Sequence, residues 1–441
     1  MRIFIKTLGC EKNTIDSEFA AGLLVREGNS ICEDPQDADV IVVNTCGFIE
    51  DAKRQSIETI LEYAEEKKQG QRIVVTGCLA QRYAGELAKD LPEVDLLLGV
   101  NDYRRLPELL REKDAVRVTV SPEQENFEEL GPRLRSDTPW TASIKIAEGC
   151  NNACTYCAIP MMRGKYRSRK PEDIIAEAKM LAASGCKELV VIAQDVTYYG
   201  KDLGRSDMLP ELIRSLCRID GIKWIRLMYC YEDEITQGLI DVMREEPKVC
   251  KYIDIPLQHA SDRILKAMKR KSTLNSIEST IQVLRKQIPD ITIRTTLISG
   301  FPGETKEDHK ELEEFVRRNR FERLGVFAYS KEEGTPAAEM KPQVRKDVKE
   351  RRRDRIMQIQ REISLELNQK HIGDLLQVLV EEDCGDGSFI GRSRFDAPEI
   401  DDSVIFTSER KLKPGDMTFV RIEDAFDYDL TGREELPEGE I

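Results

Sequence analysis

The sequence predicts an α/β multidomain protein: an N-terminal parallel α/β sheet domain, a central partial (βα)6 barrel, and a small closed β-barrel at the C-terminus. Three observations predict it. Residues 1–115 alternate short apolar runs with helical patterns, six larger βα units follow from Ala142, and the residues after 371 hold short strand-like runs split by Gly, Asp and Pro. Strand followed by helix, repeated, argues a parallel sheet covered on both faces.

The first units pair the apolar run 3–8 with the helical pattern 17–26, 40–44 with 49–68, and 73–76 with 82–90. The segment 121–139 has scattered prolines and charges without an apolar period, so it reads as a linker. Strand candidates follow at 143–147, 189–193, 224–228, 252–255, 292–298 and 324–329, separated by helical patterns. A full parallel barrel needs eight such units, so six predict a partial, open one. A basic helical stretch, 341–370, precedes short runs at 375–380, 389–392, 404–407 and 418–422, which fit a small closed β-barrel. The expected division is therefore a domain at 1–120, the linker 121–139, a core at 140–370 that includes the basic helix, and an acidic barrel at 371–441.

Composition bounds the function classes. The 441 residues are 40% hydrophobic and 34% charged, ordinary for a soluble protein, and no run approaches the roughly 18 apolar residues of a membrane span. The apolar run at the N-terminus is too short for a signal peptide, so a cytoplasmic protein without a membrane partner is expected. The formal net charge of −14 is uneven. Residues 371–441 hold 19 Asp/Glu against 7 Lys/Arg, a net of −12, while 341–370 hold 10 Lys/Arg against 5 Asp/Glu. An acidic terminal barrel repels a polyanion and suits a basic protein, so no direct nucleic-acid binding is expected from it.

Twelve cysteines in a compartment that disfavours disulfides point to metal or catalysis. Cys10, Cys46 and Cys78 follow the first three strand candidates, beside Gly or Thr. Ligands of an open parallel sheet collect at the carboxyl ends of its strands, where these thiols can converge; the alternative is three small buried apolar residues. A second group is local: Cys150, Cys154 and Cys157 follow the first strand of the central domain. Structural zinc wants four protein ligands, and no fourth Cys or His lies nearby. A 4Fe-4S cluster on three thiolates leaves one iron open to substrate. Cys32, Cys186, Cys217, Cys230, Cys250 and Cys384 read as structural, with Cys230 placed where it could face the barrel cavity.

Cys150-x-x-x-Cys154-x-x-Cys157, with Tyr156 before the last cysteine, resembles the radical S-adenosylmethionine (SAM) superfamily. With Cys10, Cys46 and Cys78 ahead of it and a TRAM-type barrel behind, the chain resembles the methylthiotransferases along its whole length. Within that family it is most similar to the branch that methylthiolates an aspartate of ribosomal protein uS12. The likeness rests on Gly9-Cys10-Glu11-Lys12-Asn13 with Asp16-Ser17-Glu18, Asn44 to Ile49, Met162 to Arg169, Ile255 to Ser261, and Asp427 to Gly432. The transfer-RNA branch of the family has Gln-Met-Asn after the first cysteine, Gln-Ser where Gln258-His259 stands, and a basic terminal barrel. The segment Tyr229-Cys230-Tyr231-Glu232-Asp233 departs from the family pattern, in which a Tyr-Pro segment is commoner.

The resemblance implies two 4Fe-4S clusters, a radical SAM cluster on Cys150, Cys154 and Cys157 and an auxiliary cluster on Cys10, Cys46 and Cys78. It implies that one SAM is cleaved by one electron to a 5′-deoxyadenosyl radical that takes hydrogen from the β-carbon of the aspartate, that sulfur comes by way of the auxiliary cluster, and that a second SAM supplies the methyl. An electron donor is then a partner. Tyr156, Gln194, Asp195, Gln258 and Arg270 are candidate SAM contacts. Gly300, in Ser299-Gly300-Phe301-Pro302-Gly303-Glu304, is either backbone lying flat against adenosine or a plain turn. Arg163, Arg167 and Arg169 face SAM, a substrate loop, or solvent. The competing functions are a transfer-RNA methylthiotransferase and a non-catalytic iron-sulfur protein; the acidic barrel argues against the first, and triads that stop at three thiolates argue against the second.

Overall fold

The computed structural model describes residues 1–112, 116–121, 131, 133–135 and 138–437. Most of the segment expected as a linker lies outside the described residues.

The first sheet is parallel throughout and comprises β1 (Arg2–Thr7), β2 (Ser30–Ile31), β3 (Val40–Thr45), β4 (Arg72–Gly77), β5 (Leu96–Leu98) and β6 (Val118–Thr119), in the order β2-β1-β3-β4-β5-β6. Its helices are α1 (Glu11–Arg26), α2 (Glu50–Glu65), α3 (Cys78–Asp90) and α4 (Leu106–Arg111). Successive strand residues face opposite layers: Ile41, Val43, Ile73 and Val75 pack on one side with Ile60 and Leu79, while Val40, Val42 and Val74 pack on the other with Leu24 and Leu106. Strands β2, β5 and β6 are too short to show a period. Both α1 and α3 start earlier than their apolar patterns at 17 and 82: the first turn of α1 is polar, and that of α3 continues directly from β4 with Cys78, Leu79 and Ala80 buried.

The second sheet is parallel and open. Its strands are β7 (Thr141–Lys145), β10 (Glu188–Ile192), β11 (Trp224–Leu227), β12 (Val249–Gln258), β13 (Thr292–Ser299) and β14 (Arg323–Ala328), in the order β14-β13-β12-β11-β10-β7. A two-stranded antiparallel ribbon, β8 (Ala147–Glu148) with β9 (Arg167–Ser168), follows β7 and brackets the second cysteine loop and the short helix α5 (Ile159–Arg163). The interior is filled from outside the sheet. Ile15, Phe19, Ala20 and Leu23 of α1 pack against Val190, Ile192, Trp224 and Tyr252, together with Leu379 and Ala397 of the C-terminal domain. Two neighbouring domains thus close what two further βα units would close in a complete barrel.

The C-terminal domain is a closed barrel of β15 (Leu375–Asp383), β16 (Ser388–Ser393), β17 (Val404–Thr407), β18 (Met417–Ala425) and β19 (Leu430–Glu434), in the order β15-β16-β17-β19-β18. The closing strand β19, Leu-Thr-Gly-Arg-Glu, has one apolar residue and gave no strand signal. The barrel docks on the starts of the central strands. Tyr252 Oη donates to Asp401 (2.5 Å), Trp224 Nε1 donates to Gln377 (3.2 Å), and Arg392 pairs with Glu188 (2.7 Å). Arg323 pairs with Asp396 at 2.5 Å and Asp402 at 3.2 Å, and Arg294 with Asp401 at 3.3 Å. Part of the barrel's acidity is therefore engaged inward against the central domain and does not face a partner. The long helix Lys346–Asn368 buries Ile356, Ile359 and Ile363, and its Arg352 pairs with Glu304 at 2.7 Å. No helix of the described residues is long and apolar enough to cross a membrane.

Candidate active site

Strands β1, β3 and β4 are neighbours in register, with Thr7 opposite Asn44 and Asn44 opposite Thr76, so Cys10, Cys46 and Cys78 leave the sheet at one edge. Two glycines let their loops touch. Gly9 has φ +94°, and a Cβ there would lie 2.7 Å from the Cβ of Cys46; Gly77 has φ +98°, and a Cβ there would lie 2.4 Å from the carbonyl oxygen of Thr45. A side chain at either position forces the loops apart. Asn13 ties them, its Nδ2 donating to Leu8 O (2.8 Å) and Thr45 O (3.1 Å) while Cys78 Sγ lies 3.8 Å from its Oδ1. Cys10 stands at the N-terminal boundary of α1 and Cys78 opens α3. Burial, then repulsion from Cys78 and Cys10, pushes the Cys46 thiol up to about 11.

The second loop is held as firmly. Cys150 N donates to Gly164 O (3.1 Å), Thr155 N to Met268 O (3.1 Å), Thr155 Oγ1 to Ala267 O (2.9 Å), and Ile159 N to Cys157 Sγ (3.4 Å). Burial pushes Cys150 to about 11 and Cys157 to about 12, with the neighbouring thiols adding to both. Among the described residues, no three or more His, Cys, Asp or Glu side chains are arranged around a single metal ion. Burial raises the thiols of Cys46 and Cys78 in one triad and of Cys150 and Cys157 in the other, and three thiols fit a cluster that takes thiolates and compensates their charge.

A buried network joins the two loops. Arg163, at the end of α5, donates to Asp16 (2.6 Å), Glu148 (3.2 Å) and Asn13 Oδ1 (2.6 Å); Lys145 donates to Asp16 and Glu148, each at 2.6 Å; and Gln194 Nε2 donates to Glu148 at 2.5 Å. Against burial, Lys145 and Arg163 hold Glu148 far below the ordinary carboxylate range. Arg167 and Arg169 are buried as well, donating to Lys165 O (3.1 Å) and to Glu177 (2.7 Å) respectively. None of the three arginines forms the solvated turn that was one expectation for them, and the guanidinium of Arg163 is engaged by protein rather than by a ligand.

The expected SAM contacts divide. Arg270 is buried, pairs with Glu232 at 2.8 Å, and stands 4.3 Å from the ring centroid of Tyr231. Burial, then the neighbouring Cys154, pushes the Tyr156 hydroxyl well above its ordinary value, and the same two causes raise Tyr231. Arg270 Nη1, Glu232 Oε1 and Gln194 Oε1 have no hydrogen-bond partner among the described residues, which marks this region as one that a polar ligand would complete. Asp195 accepts from Asn152 of the cysteine loop (3.0 Å), Thr197 (2.8 Å) and Tyr198 N (3.1 Å), and burial raises it to about 6; it braces the loop. Gln258 has φ +71° and donates to Pro256 O at 3.2 Å. Gly300 N–H donates to Glu304 (2.6 Å), and a Cβ there would lie 2.3 Å from Cγ of Lys349 in the long helix.

The sequence reasoning left Lys12, Asp16, Lys145 and Glu148 without roles. Lys145 and Glu148 were legible only as charges in an apolar strand context. The Tyr229–Tyr231 segment spans both groups: Tyr229 faces Lys12, whose Nζ lies 3.3 Å from its ring centroid, and Tyr231 faces Arg270. Burial lowers the Lys12 ammonium below the ordinary lysine value. Cys230, between them, lies in the apolar core, and all twelve cysteines are free thiols.

Comparison with known proteins agrees with this architecture. Residues 2–99 match the uncharacterized protein family UPF0004, 144–316 the radical SAM superfamily, and 372–434 the TRAM domain. The chain is 49% identical over 437 residues to the ribosomal protein uS12 methylthiotransferase RimO of Clostridioides difficile (98% of each chain), and 48% identical over 445 residues to that of Lachnoclostridium phytofermentans (99% of this chain, all of that one). Among solved structures, the radical SAM methyltransferase TsrM from Kitasatospora setae, with cobalamin and a 4Fe-4S cluster bound, superposes with a TM-score of 0.57 at 13% identity, covering 88% of this chain and 81% of that one. That likeness shows the fold alone. The superfamily match implies one 4Fe-4S cluster and SAM as cofactors, and the near-full-length identity places the chain in the RimO family: it belongs to the radical SAM methylthiotransferases.

Proposed function

We propose that the chain methylthiolates the β-carbon of an aspartate in ribosomal protein uS12, using one SAM as radical source and a second as methyl donor. The observation that carries this is the likeness to relatives named as uS12 methylthiotransferases, at 46–49% identity over nearly the whole chain. In this reading Cys150, Cys154 and Cys157 hold the radical SAM cluster and Cys10, Cys46 and Cys78 an auxiliary 4Fe-4S cluster. When bound, these groups and SAM supply one-electron cleavage and a carbon radical able to attack an unactivated C–H, which acid-base side chains cannot do.

The chain's own residues bind and position. Beside Cys154, Arg270 offers a donor for the carboxylate of SAM and Glu232 an acceptor for its amino group, with Tyr156 against the same thiol. Asn152 and Asp195 fix the loop's direction, and Gln194 links it to Glu148. The inserted helix α1 and the docked C-terminal barrel fill the interior and exclude water from one side of the reaction space. The outward acids of the barrel, among them Glu382, Asp383, Asp386, Glu423 and Asp424, are exposed and suit a basic ribosomal protein. The electron donor is a further partner.

Reduced holoenzyme with SAM and sulfide is incubated with uS12 or with unmodified transfer RNA, and the products are weighed. The expected result is a methylthio mass gain on an aspartate-containing peptide of uS12. A gain on RNA alone overturns the assignment.

A further inference from the structure

One cation at the junction of the two cysteine loops has no hydrogen-bond or ion-pair partner among the described residues. Lys12, in the first turn of α1, is 8% exposed, yet among the described residues nothing accepts a hydrogen bond from its Nζ and no carboxylate pairs with it. Its Nζ stands over the face of Tyr229, 3.3 Å from the ring centroid, and feels Cys10, Glu11 and Glu148 through space without an ion pair to any of them. Other buried cations along this seam are matched: Lys145 and Arg163 share Asp16 and Glu148, and Arg270 has Glu232. A buried ammonium with no hydrogen-bonded acceptor is unfavourable, and an aromatic face and unpaired acids nearby offset only part of the loss. It is the kind of group that a ligand's anion completes.

Its place says which anion. Lys12 is two residues from Cys10, and the Tyr229 ring it covers leads through Cys230 to Tyr231, which stands against Arg270 beside Cys154. The ammonium therefore lies on the wall between the two thiol triads. We propose that Lys12 receives the side-chain carboxylate of the substrate aspartate. The β-carbon is bonded directly to that carboxylate carbon, so pinning the carboxylate fixes the reacting carbon between the triads. The carboxylate is unchanged by replacement of a β-hydrogen, so the contact persists from substrate to product. This inference rests on the uS12 reading above and names the residue that reads the acid.

The test compares binding of two peptides to anaerobically reconstituted enzyme, one carrying the target segment of uS12 and one with its aspartate replaced by asparagine. The unsubstituted enzyme is expected to prefer the acid by about tenfold or more. In Lys12→Met the preference falls to about one through loss of affinity for the acid form alone, and Lys12→Arg restores most of it. Iron per chain is counted for each variant, and Lys12→Gln replaces the Met variant if that one loads poorly. A preference unchanged in Lys12→Met, or an equal loss for both peptides, overturns the proposal. So does an unchanged preference with a shifted midpoint potential of the auxiliary cluster, which would make Lys12 a cluster counter-charge. Failure of the underlying reading is distinguishable, because it shows in the unsubstituted enzyme as no binding and no methylthiolation of uS12.

Discussion

Arg163 and Asn13 meet 2.6 Å apart across the seam between the two α/β domains, the guanidinium donating to the same amide oxygen that lies 3.8 Å from Cys78 Sγ. One side chain, anchored at the end of the helix that follows Cys157, thereby touches the residue that organises the other triad. The relative placement of the two groups of thiols is set by a buried hydrogen-bonded contact and not by a hinge.

Removing that contact leaves Asp16 and Glu148 with Lys145 as their one remaining buried cation. Arg163→Leu is expected to destabilise the apo chain by about 3–5 kcal/mol, as breaking a buried pair does. Arg163→Lys keeps the charge without the fork and loses less. Chemical denaturation of the unloaded protein checks the order.

Gly9→Ala places a methyl where Cys46 already sits. The auxiliary loops are then held apart, and reconstituted iron falls from about eight to about four per chain, with the remaining cluster retaining the spectroscopic signature of the Cys150 loop. Iron analysis with electron paramagnetic resonance decides this, and a full complement of iron would show that the loops tolerate separation.

The two triads are expected to fail differently. Cys154→Ala abolishes reductive cleavage of SAM, whereas Cys46→Ala retains cleavage and loses methylthio transfer. Quantifying 5′-deoxyadenosine beside the methylthio product separates the two; loss of cleavage in both variants would refute a division of labour.

Asp402 gives the barrel interface a pH dependence. Its ion pair with Arg323 at 3.2 Å favours the charged form, but burial and the neighbouring Asp396 and Asp401 outweigh it, since Arg323 already pairs with Asp396 at 2.5 Å; the carboxyl is pushed up to about 7. An unfolded aspartate titrates near 4. Between those values the folded chain holds a proton that the unfolded chain releases, so this group's contribution is fully present below about pH 4 and is lost as pH rises to about 7. The melting temperature of the unsubstituted protein is expected to fall relative to that of Asp402→Asn between about pH 5 and 8. A relative rise would mean that the ion pair with Arg323 governs.

The strand order of the central domain was legible because buried parallel strands are continuous apolar runs, and the six expected candidates overlap β7 and β10 to β14. The cysteine positions were legible because spacing and strand ends are local features. What stayed hidden is non-local or polar. β19 closes the C-terminal barrel with a single apolar residue, and its pairing with β17 and β18 carries the information that its composition lacks. The start of α1 was missed because Glu11, Lys12 and Asn13 have no apolar period, although they are the turn that enters the site, and that of α3 because it follows β4 without a break. Arg163 reads as one of several basic residues after a cysteine motif; its role exists only once Asp16, well over a hundred positions earlier, lies beside it. Gly300 is similar: its close approach to Lys349 in the long helix is a non-local contact that the local turn pattern does not carry.

The face that α1 presents to the central domain has consequences for how the chain is made. That face carries Asn13, Asp16 and Glu18, and their partners Lys145, Arg163 and Arg133 are synthesised later. A nascent N-terminal domain therefore waits with a mixed face, these polar groups standing beside the apolar Ile15, Phe19 and Leu23 that later pack against the central domain. During that interval Cys78 is not yet packed against Ala158 and Met162 of the central domain, so the first triad is more open before the seam closes than after it.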